Sequence, residues 1–340
     1  MPRLAGLQLL RGLAALMVLV GHVIAEAEHY FAHPLPLSFA GDAIPWTRGV
    51  DIFFVISGFI ITLSAPRYVN QPLAFLWRRI LRVAPLYYLF TTLMVATLLL
   101  MPGGAKDTIL EPNQILSSYL FLPFERYDGR IAPVLSLGWT LNYEMFFYVL
   151  MALSLALPRP FLVISGLVAS LAIASLLPFT AAPFTFWTNP LMLEFLFGIA
   201  LARAWQYGLR WPSTPLALGL LVIGIALLIL LDTTPLPRFI AAGLPATLIV
   251  ACATLFCPDR ALPGQIFGDA SYALYLSHRF TLRAVTLLLL PLLPSGSWAA
   301  WAFVALACTA TVLIGFLVHL RVERPLLRIL SRPFAQRATA

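Results

Sequence analysis

Ten apolar runs follow one another along the chain, each close to the roughly 20 residues that a helix needs to cross a bilayer. In lipid, every backbone amide must be satisfied internally, so runs of this length are compatible with helices and with little else. The sequence therefore predicts an all-α fold, a polytopic membrane bundle of about ten transmembrane helices. The runs lie at approximately 7–25, 49–64, 84–101, 138–157, 161–178, 189–205, 215–231, 239–257, 271–291 and 298–320.

The composition agrees with a membrane protein. Hydrophobic residues make up 61% of the 340 residues and charged residues only 11%. This composition argues against a nucleic-acid-binding protein and against a soluble enzyme. Short joins rich in Pro and Gly separate the runs, and such tight links favour one compact domain. We expect a membrane domain over residues 1–325, with the lipid bilayer as its surroundings, and a short cytoplasmic tail over 326–340. The oligomeric state is left open.

The basic residues predict an orientation. With a cytoplasmic N-terminus, fourteen of the twenty-two Lys and Arg residues fall in cytoplasmic segments, five in outer segments and three within the runs. This bias follows the positive-inside rule and places both termini in the cytoplasm. Topology thus accounts for much of the net charge of +8.

The first run contains two ionisable residues, Arg11 and His22. Their separation of eleven residues turns an α-helix by about 1100°, close to three full turns, so both side chains share one face about 16 Å apart. Ionisable groups inside a membrane span are functional candidates by default. This face therefore offers a fixed cation near one membrane surface and a proton-transfer group near the other.

Two carboxylates also lie at membrane depth. Asp51 opens the second run, where it is either a helix N-terminal carboxylate or a reactive group, and Ser57-Gly58 beyond it is typical of helix packing. Glu144 lies about 9 Å inside the outer surface, at a depth similar to that of His22. A carboxylate that orients an imidazole is the usual second partner of a general base. A purely structural His–Glu pair is the alternative.

Arg79 and Arg82 stand at the cytoplasmic entrance of the third run. They are i, i+3 neighbours on a helix, and their planar guanidinium groups together suit a phosphate or diphosphate. The competing interpretation is a positive-inside anchor that reaches the lipid headgroups.

Histidines raise two further questions. His278, in the ninth run, is either functional or a satisfied core histidine. His22, Glu26, His29 and His33 have the spacing of ligands on one helical face, but Pro34 soon ends any helix. We therefore expect no metal.

These motifs, taken together and in order, resemble those of the membrane-bound acyltransferase 3 family, and most closely its bacterial exopolysaccharide O-acetyltransferases of the succinoglycan type. The matching motifs run from residue 9 to 325. They are Arg11 with His22, Phe53-Phe-Val-Ile-Ser-Gly58, Arg79-Ile-Leu-Arg82, Trp139-Thr-Leu-Asn-Tyr-Glu144, Ser271-Tyr-Ala-Leu-Tyr-Leu-Ser-His278 and Glu323-Arg-Pro325.

The resemblance implies an inner-membrane enzyme that moves an acyl group, with acetyl expected, from cytoplasmic acetyl-CoA to a hydroxyl of a glycan or lipid-linked sugar. It implies His22 as the catalytic histidine with Arg11 as its motif partner, and Arg79 with Arg82 as the acyl-CoA site. We also expect Arg11 to contribute to acetyl-CoA binding. Our mechanistic prediction adds Glu144 or Asp51 as the support of His22. The family often has Trp-His where this chain has Ser277-His278, which leaves the role of His278 open.

A second class of function fits the same features. A secondary transporter or a lipid-linked-sugar flippase is also a polytopic bundle with ionisable residues near its midplane. The absence of a detectable inverted repeat and the arginines at one cytoplasmic entrance favour the enzyme. Direct transfer and transfer through an acyl-histidine are both compatible with the sequence.

Overall fold

The structure is a computed structural model that describes residues 4–31, 44–101, 110–209, 214–255, 264–294 and 296–337. The all-α prediction is confirmed, since these residues form helices and no strand. Their one β-feature is an isolated antiparallel bridge between Glu125 and Ile131. The helices are α1 Ala5–Tyr30, α2 Gly49–Ser64, α3 Pro72–Leu100, α4 Pro112–Tyr119, α5 Trp139–Leu155, α6 Pro160–Ala174, α7 Ala182–Trp187, α8 Leu193–Gln206, α9 Thr214–Leu230, α10 Leu244–Leu255, α11 Gln265–Leu289, α12 Ser297–Val318 and α13 Arg324–Arg337.

Each predicted apolar run overlaps a helix in its described part. Among the residues that the structure describes, five helical segments are long and apolar enough to span a membrane, and three shorter helices are also apolar. The number of crossings and the orientation of the termini therefore stay predictions. The five segments are Ala5–Tyr30, Trp46–Tyr68, Pro72–Leu100, Ala182–Gln206 and Trp298–Leu330.

Helix boundaries differ from the apolar runs where charged residues continue a helix. The third run is predicted from residue 84, whereas α3 begins at Pro72, because hydropathy registers the apolar part of a helix and not its basic first turns. Proline opens α3, α4 and α6, where its fixed φ suits the first helical turn. The described part of the predicted tail, residues 326–337, is helical and lies within α13.

The chain divides into two compact units. The first comprises Met1–Ile56 and Ala200–Arg324, and the second comprises Ser57–Ile199 and Pro325–Ala340. In the first unit, α1 packs against α10, α11 and α12, and α9 packs against α10. In the second unit, α3 packs against α4 and α5, and α5 against α6.

The helices α1 and α11 of the first unit run parallel to each other. Gln8 bonds to Asp269 near their beginnings, and Glu26 accepts a hydrogen bond from Thr286 near their ends. The apolar core of this unit lies beside them, where Leu19 and Val23 pack with Leu274. Parallel neighbours cross a membrane in the same direction, as the first and ninth predicted spans require.

Candidate functional site

The parallel packing of α1 and α11 brings two histidines together. Nε2 of His278 lies 3.3 Å from Nδ1 of His22, and the ring centroids are 5.0 Å apart. His278 is buried, with 1% of its surface exposed, whereas His22 is half-buried. The histidine whose role the sequence left open is therefore the side-chain neighbour of the predicted catalytic one.

Glycines set the distance between these two helices. A Cβ at Gly12 would lie 2.6 Å from Cβ of Phe267, and a Cβ at Gly268 would overlap the carbonyl oxygen of Gln8. Small residues permit backbones to approach this closely in membrane helices. The close crossing lies ten residues before His22 in α1 and ten residues before His278 in α11, so it aligns the two rings.

The hydrogen bond of His22 to the backbone identifies its basic nitrogen. Nδ1 lies 2.9 Å from the carbonyl oxygen of Val18. A carbonyl oxygen only accepts hydrogen bonds, so Nδ1 carries the hydrogen in the neutral ring. Nε2 then holds the lone pair, and this atom is the one that can take a proton.

Arg11 lies at the other end of the same pair of helices. Its guanidinium donates to Oε1 of Gln8 at 3.1 Å, and the Gln8 amide donates to Oδ1 of Asp269 at 3.1 Å. The side chain of Gln8 thus connects the motif arginine on α1 to a carboxylate at the start of α11.

Asp51 is engaged with an arginine and not with His22. Both of its carboxylate oxygens accept from Arg238, at 2.8 Å each, and Asp51 is completely buried. A second ion pair, between Arg48 and Asp232, involves the residue three positions before Asp51. Asp51 and Arg238 thus form a two-point ion pair at the start of α2, and support of the imidazole by Asp51 stays a prediction.

Glu144 belongs to the second unit, where it accepts two hydroxyl hydrogen bonds. Oε1 accepts from Ser57 at 3.1 Å and from the phenol of Tyr148 one turn further along α5. The predicted packing role of the Ser-Gly pair holds for Gly58, whose Cβ position is filled by the backbone of Phe195. Ser57, by contrast, serves the carboxylate.

Arg79 joins the same polar group. It donates to the hydroxyl of Ser64, and its guanidinium carbon lies 5.3 Å from the ring centroid of Phe75 and 5.8 Å from that of Tyr148. Arg79 and Arg82 both interact electrostatically with the Tyr148 hydroxyl. The Arg-x-x-Arg motif and Glu144, which the sequence analysis assigned to separate tasks, thus share one tyrosine.

Three contributors were not identified from the sequence. Tyr148 and Arg238 were not predicted, and His278 was left between two interpretations. One signal was present for His278, namely its spacing of ten residues from Gly268, equal to the spacing of His22 from Gly12. The partnership of Asp51 with Arg238 joins positions 187 residues apart, which no local pattern reveals.

A metal centre finds no support in the part of the chain that is described. Within it, no group of three or more His, Cys, Asp and Glu side chains is placed to hold a metal ion. His33, the last member of the weighed ligand pattern, lies outside the described residues.

Comparison with known proteins identifies the chemistry. A family described as "Acyltransferase domain" matches residues 4–320. The chain is 36% identical to "Exopolysaccharide production protein ExoZ" of Rhizobium meliloti (strain 1021), covering 86% of this chain and 92% of that protein. It is 27% identical to "Acyltransferase MdmB" of Streptomyces mycarofaciens, covering 97% and 93%, and 26% identical to "Nodulation protein 10" of Rhizobium leguminosarum bv. viciae, covering 97% and 95%.

No solved structure matches the chain. The family decides between the two classes of function that the sequence left open, since a match over nearly the whole chain supports an enzyme and not a transporter or flippase. The resemblance drawn from the motifs is confirmed. This chain belongs to the acyltransferase 3 family and is a membrane acyltransferase.

Proposed function

We propose that this enzyme transfers an acetyl group from cytoplasmic acetyl-CoA to a hydroxyl of an exported polysaccharide or its lipid-linked precursor, in the inner membrane. The proposal of a glycan acceptor is supported by the relative from Rhizobium meliloti, whose name states a role in exopolysaccharide production. The proposal of a CoA donor is supported by the arginines at the beginning of α3.

The observation that carries the proposal is the state of His22. Its Nδ1 is committed to the carbonyl of Val18, so Nε2 is the basic atom of a half-buried imidazole. In the proposed reaction Nε2 takes the proton of the acceptor hydroxyl while the hydroxyl oxygen bonds to the acyl carbon. The carbon–sulfur bond of the thioester breaks, and the proton passes from His22 to the departing sulfur.

The donor is assigned to the arginines of the second unit. The guanidinium of Arg79 is held by Ser64 and by the rings of Phe75 and Tyr148, which fixes its plane before a ligand arrives. Arginine presents five N–H donors, more than the bond to Ser64 uses, and its fork matches the oxygens of a phosphate. The half-buried side chain of Arg82 follows one turn later. We propose that both bind the phosphates of CoA.

Arg11, Asp51 and Glu144 complete the proposed machinery. Arg11 reaches α11 through Gln8, and we propose that it keeps the beginnings of α1 and α11 in register for the donor. Asp51 anchors the start of α2 through Arg238. Support of His22 by Glu144 stays a prediction. Because Glu144 also accepts a hydrogen bond from Tyr148, we propose that it helps to shape the acetyl-CoA site around Arg79.

Acetyl transfer from labelled acetyl-CoA tests the proposal. Membranes that contain the wild type should acetylate the acceptor glycan, and His22→Ala should reduce the rate per folded molecule by at least about 10²-fold, the lower end of the contribution of a general base. His29→Ala is the matched control, because His29 is exposed on the same helix. A His22→Ala enzyme with near-normal turnover would contradict the assignment of the base, and absence of transfer by the wild type would contradict the donor.

A further inference from the structure

The ring of His278 has a defined hydrogen position. Its Nδ1 lies 2.7 Å from the carbonyl oxygen of Tyr275, three residues earlier in α11. Because this oxygen only accepts, Nδ1 carries the hydrogen and Nε2 holds a lone pair in the neutral ring. His278 therefore presents a hydrogen-bond acceptor, and that acceptor is the atom that faces His22.

The two rings then form a directed pair. The Nδ1 hydrogen of His22 has two acceptors, the Val18 oxygen at 2.9 Å and Nε2 of His278 at 3.3 Å. When Nε2 of His22 takes a proton, both acceptors still serve the Nδ1–H of the imidazolium. The pair thus keeps one orientation and one tautomer of His22 before and after proton transfer.

We propose that His278 is the positioning residue of the transfer reaction, in the place that a carboxylate holds in a Ser-His-Asp triad. This inference rests on the proposed role of His22 as the base. His278 touches neither substrate in this scheme and acts only through the ring of His22.

A neutral partner suits the surroundings of His22. His278 is 99% buried within a predicted span, where an unpaired carboxylate is costly. Arg279 on α11 and Glu26 on α1 both interact electrostatically with His22, so one cation and one anion already act on it. A neutral acceptor holds the Nδ1 hydrogen without adding a further charge.

Replacement of His278 by Gln and by Met separates hydrogen bonding from packing. The two side chains have similar length, but only Gln offers an acceptor oxygen, as Nε2 of His278 does. We expect His278→Met to lower kcat for acetyl transfer by about 10-fold to 10²-fold with KM for acetyl-CoA unchanged, and His278→Gln to recover a large part of that loss. Ser277→Ala is the control on the same turn, since the buried Ser277 hydroxyl has no hydrogen-bond partner among the described residues.

Nitrogen-15 NMR of the histidine rings supplies a readout that packing does not move. In the wild type, Nδ1 of His22 should carry the hydrogen. In His278→Met the Val18 carbonyl still accepts this hydrogen, and loss of the second acceptor should shift the Nδ1 resonance. Equal losses of kcat in the Gln and Met variants would show that the acceptor atom does not matter and that His278 only packs, which would overturn the inference. A wild-type His22 with its hydrogen on Nε2 would also overturn it, and this measurement requires no variant to fold.

The outcomes are distinct from those of the proposed function. If His22→Ala keeps its activity, His22 is not the general base, and the positioning role of His278 is overturned as well. If His22→Ala is inactive while His278→Met turns over at the wild-type rate, the base stands and only the positioning role is overturned.

Discussion

Gly12 of α1 meets Gly268 of α11 at a crossing with no room for a side chain. The backbone nitrogen of Gly268 lies 2.9 Å from where a Cβ on Gly12 would stand. From this crossing the two helices run parallel for ten more residues before they present His22 and His278. The contact therefore determines the geometry of the candidate base at a distance of about 15 Å along the helix axis.

Gly268→Ala is expected to damage this geometry. The new methyl group would overlap the carbonyl oxygen of Gln8, a backbone atom that moves only if the helices separate. We expect a destabilisation of about 1–3 kcal/mol, as for overpacked cores, together with a loss of acetyl transfer. Gly166→Ala in α6 is the control, because nothing lies within 4 Å of the added group. Thermal unfolding in detergent measures stability, and an unaffected Gly268→Ala protein would contradict the close crossing.

The Asp51–Arg238 pair is expected to dominate the stability of the start of α2. Asp51→Asn leaves Arg238 without its two-point partner, and breaking a buried pair costs about 3–5 kcal/mol. The lower end applies here, since a third of the Arg238 side chain is exposed. Unfolding of single and double variants should show that Asp51→Asn with Arg238→Gln is less destabilised than the sum of the single changes.

A matched control for this pair lies in the loop before α5. Arg130 donates two hydrogen bonds to Asp128 in an exposed setting, with 61% of the Arg130 side chain accessible. Exposed pairs contribute little, so Arg130→Gln, which leaves the contact of Asp128 with the buried Arg126 in place, should leave unfolding nearly unchanged. Strict additivity of the Asp51 and Arg238 variants would show that the buried pair is not coupled.

The membrane helices were predictable because the hydropathy of a segment is the sum of its own residues and does not depend on tertiary contacts. Apolar runs such as 7–25 and 298–320 are visible without knowledge of their neighbours, and both coincide with helices. The spacing of Arg11 and His22 likewise concerns one helix. What the sequence could not reveal is pairing, since the partner of Asp51 depends on how distant helices pack.

The two interpretations of His278 show the same limit. The sequence pattern around a histidine in an apolar run is the same for a packing and for a functional residue. That His278 neighbours His22 becomes visible only when α1 is placed beside α11. The sequence correctly predicted that Arg79 lies on a helix. The contact of its guanidinium with the Tyr148 ring depends on the packing of α3 against α5. Local patterns contain no information about that contact.

Arg79→Ala and Arg82→Ala are expected to weaken acetyl-CoA binding. Loss of a charged hydrogen bond to phosphate costs on the order of 1.5–3 kcal/mol, and Lys should restore only part of it because it lacks the planar fork. Arg78→Ala should have a smaller effect, since Arg78 is exposed and lies over Tyr68. Isothermal titration with acetyl-CoA measures the affinities. Unchanged affinity in both variants would leave these arginines as lipid anchors.

The predicted orientation can be tested with reporter fusions. Fusions after residues 70, 160 and 335 should report the cytoplasm, and those after 183 and 235 the outside, because fourteen basic residues lie in the cytoplasmic segments and five in the outer ones. The parallel course of α1 and α11 requires both helices to cross in the same direction. An external signal after residue 335 would contradict the ten-span topology.

Glu144→Gln and Tyr148→Phe together decide what Glu144 does. The Tyr148 phenol donates to Glu144, and its ring lies beneath the Arg79 guanidinium. If Glu144 acts on the donor side, both variants should raise KM for acetyl-CoA with kcat nearly preserved, because each disturbs the support of Arg79. If Glu144 supports His22, Glu144→Gln alone should lower kcat, since an amide cannot stabilise an imidazolium as a carboxylate does. Steady-state kinetics separates the two roles, and full activity of both variants would remove Glu144 from the machinery.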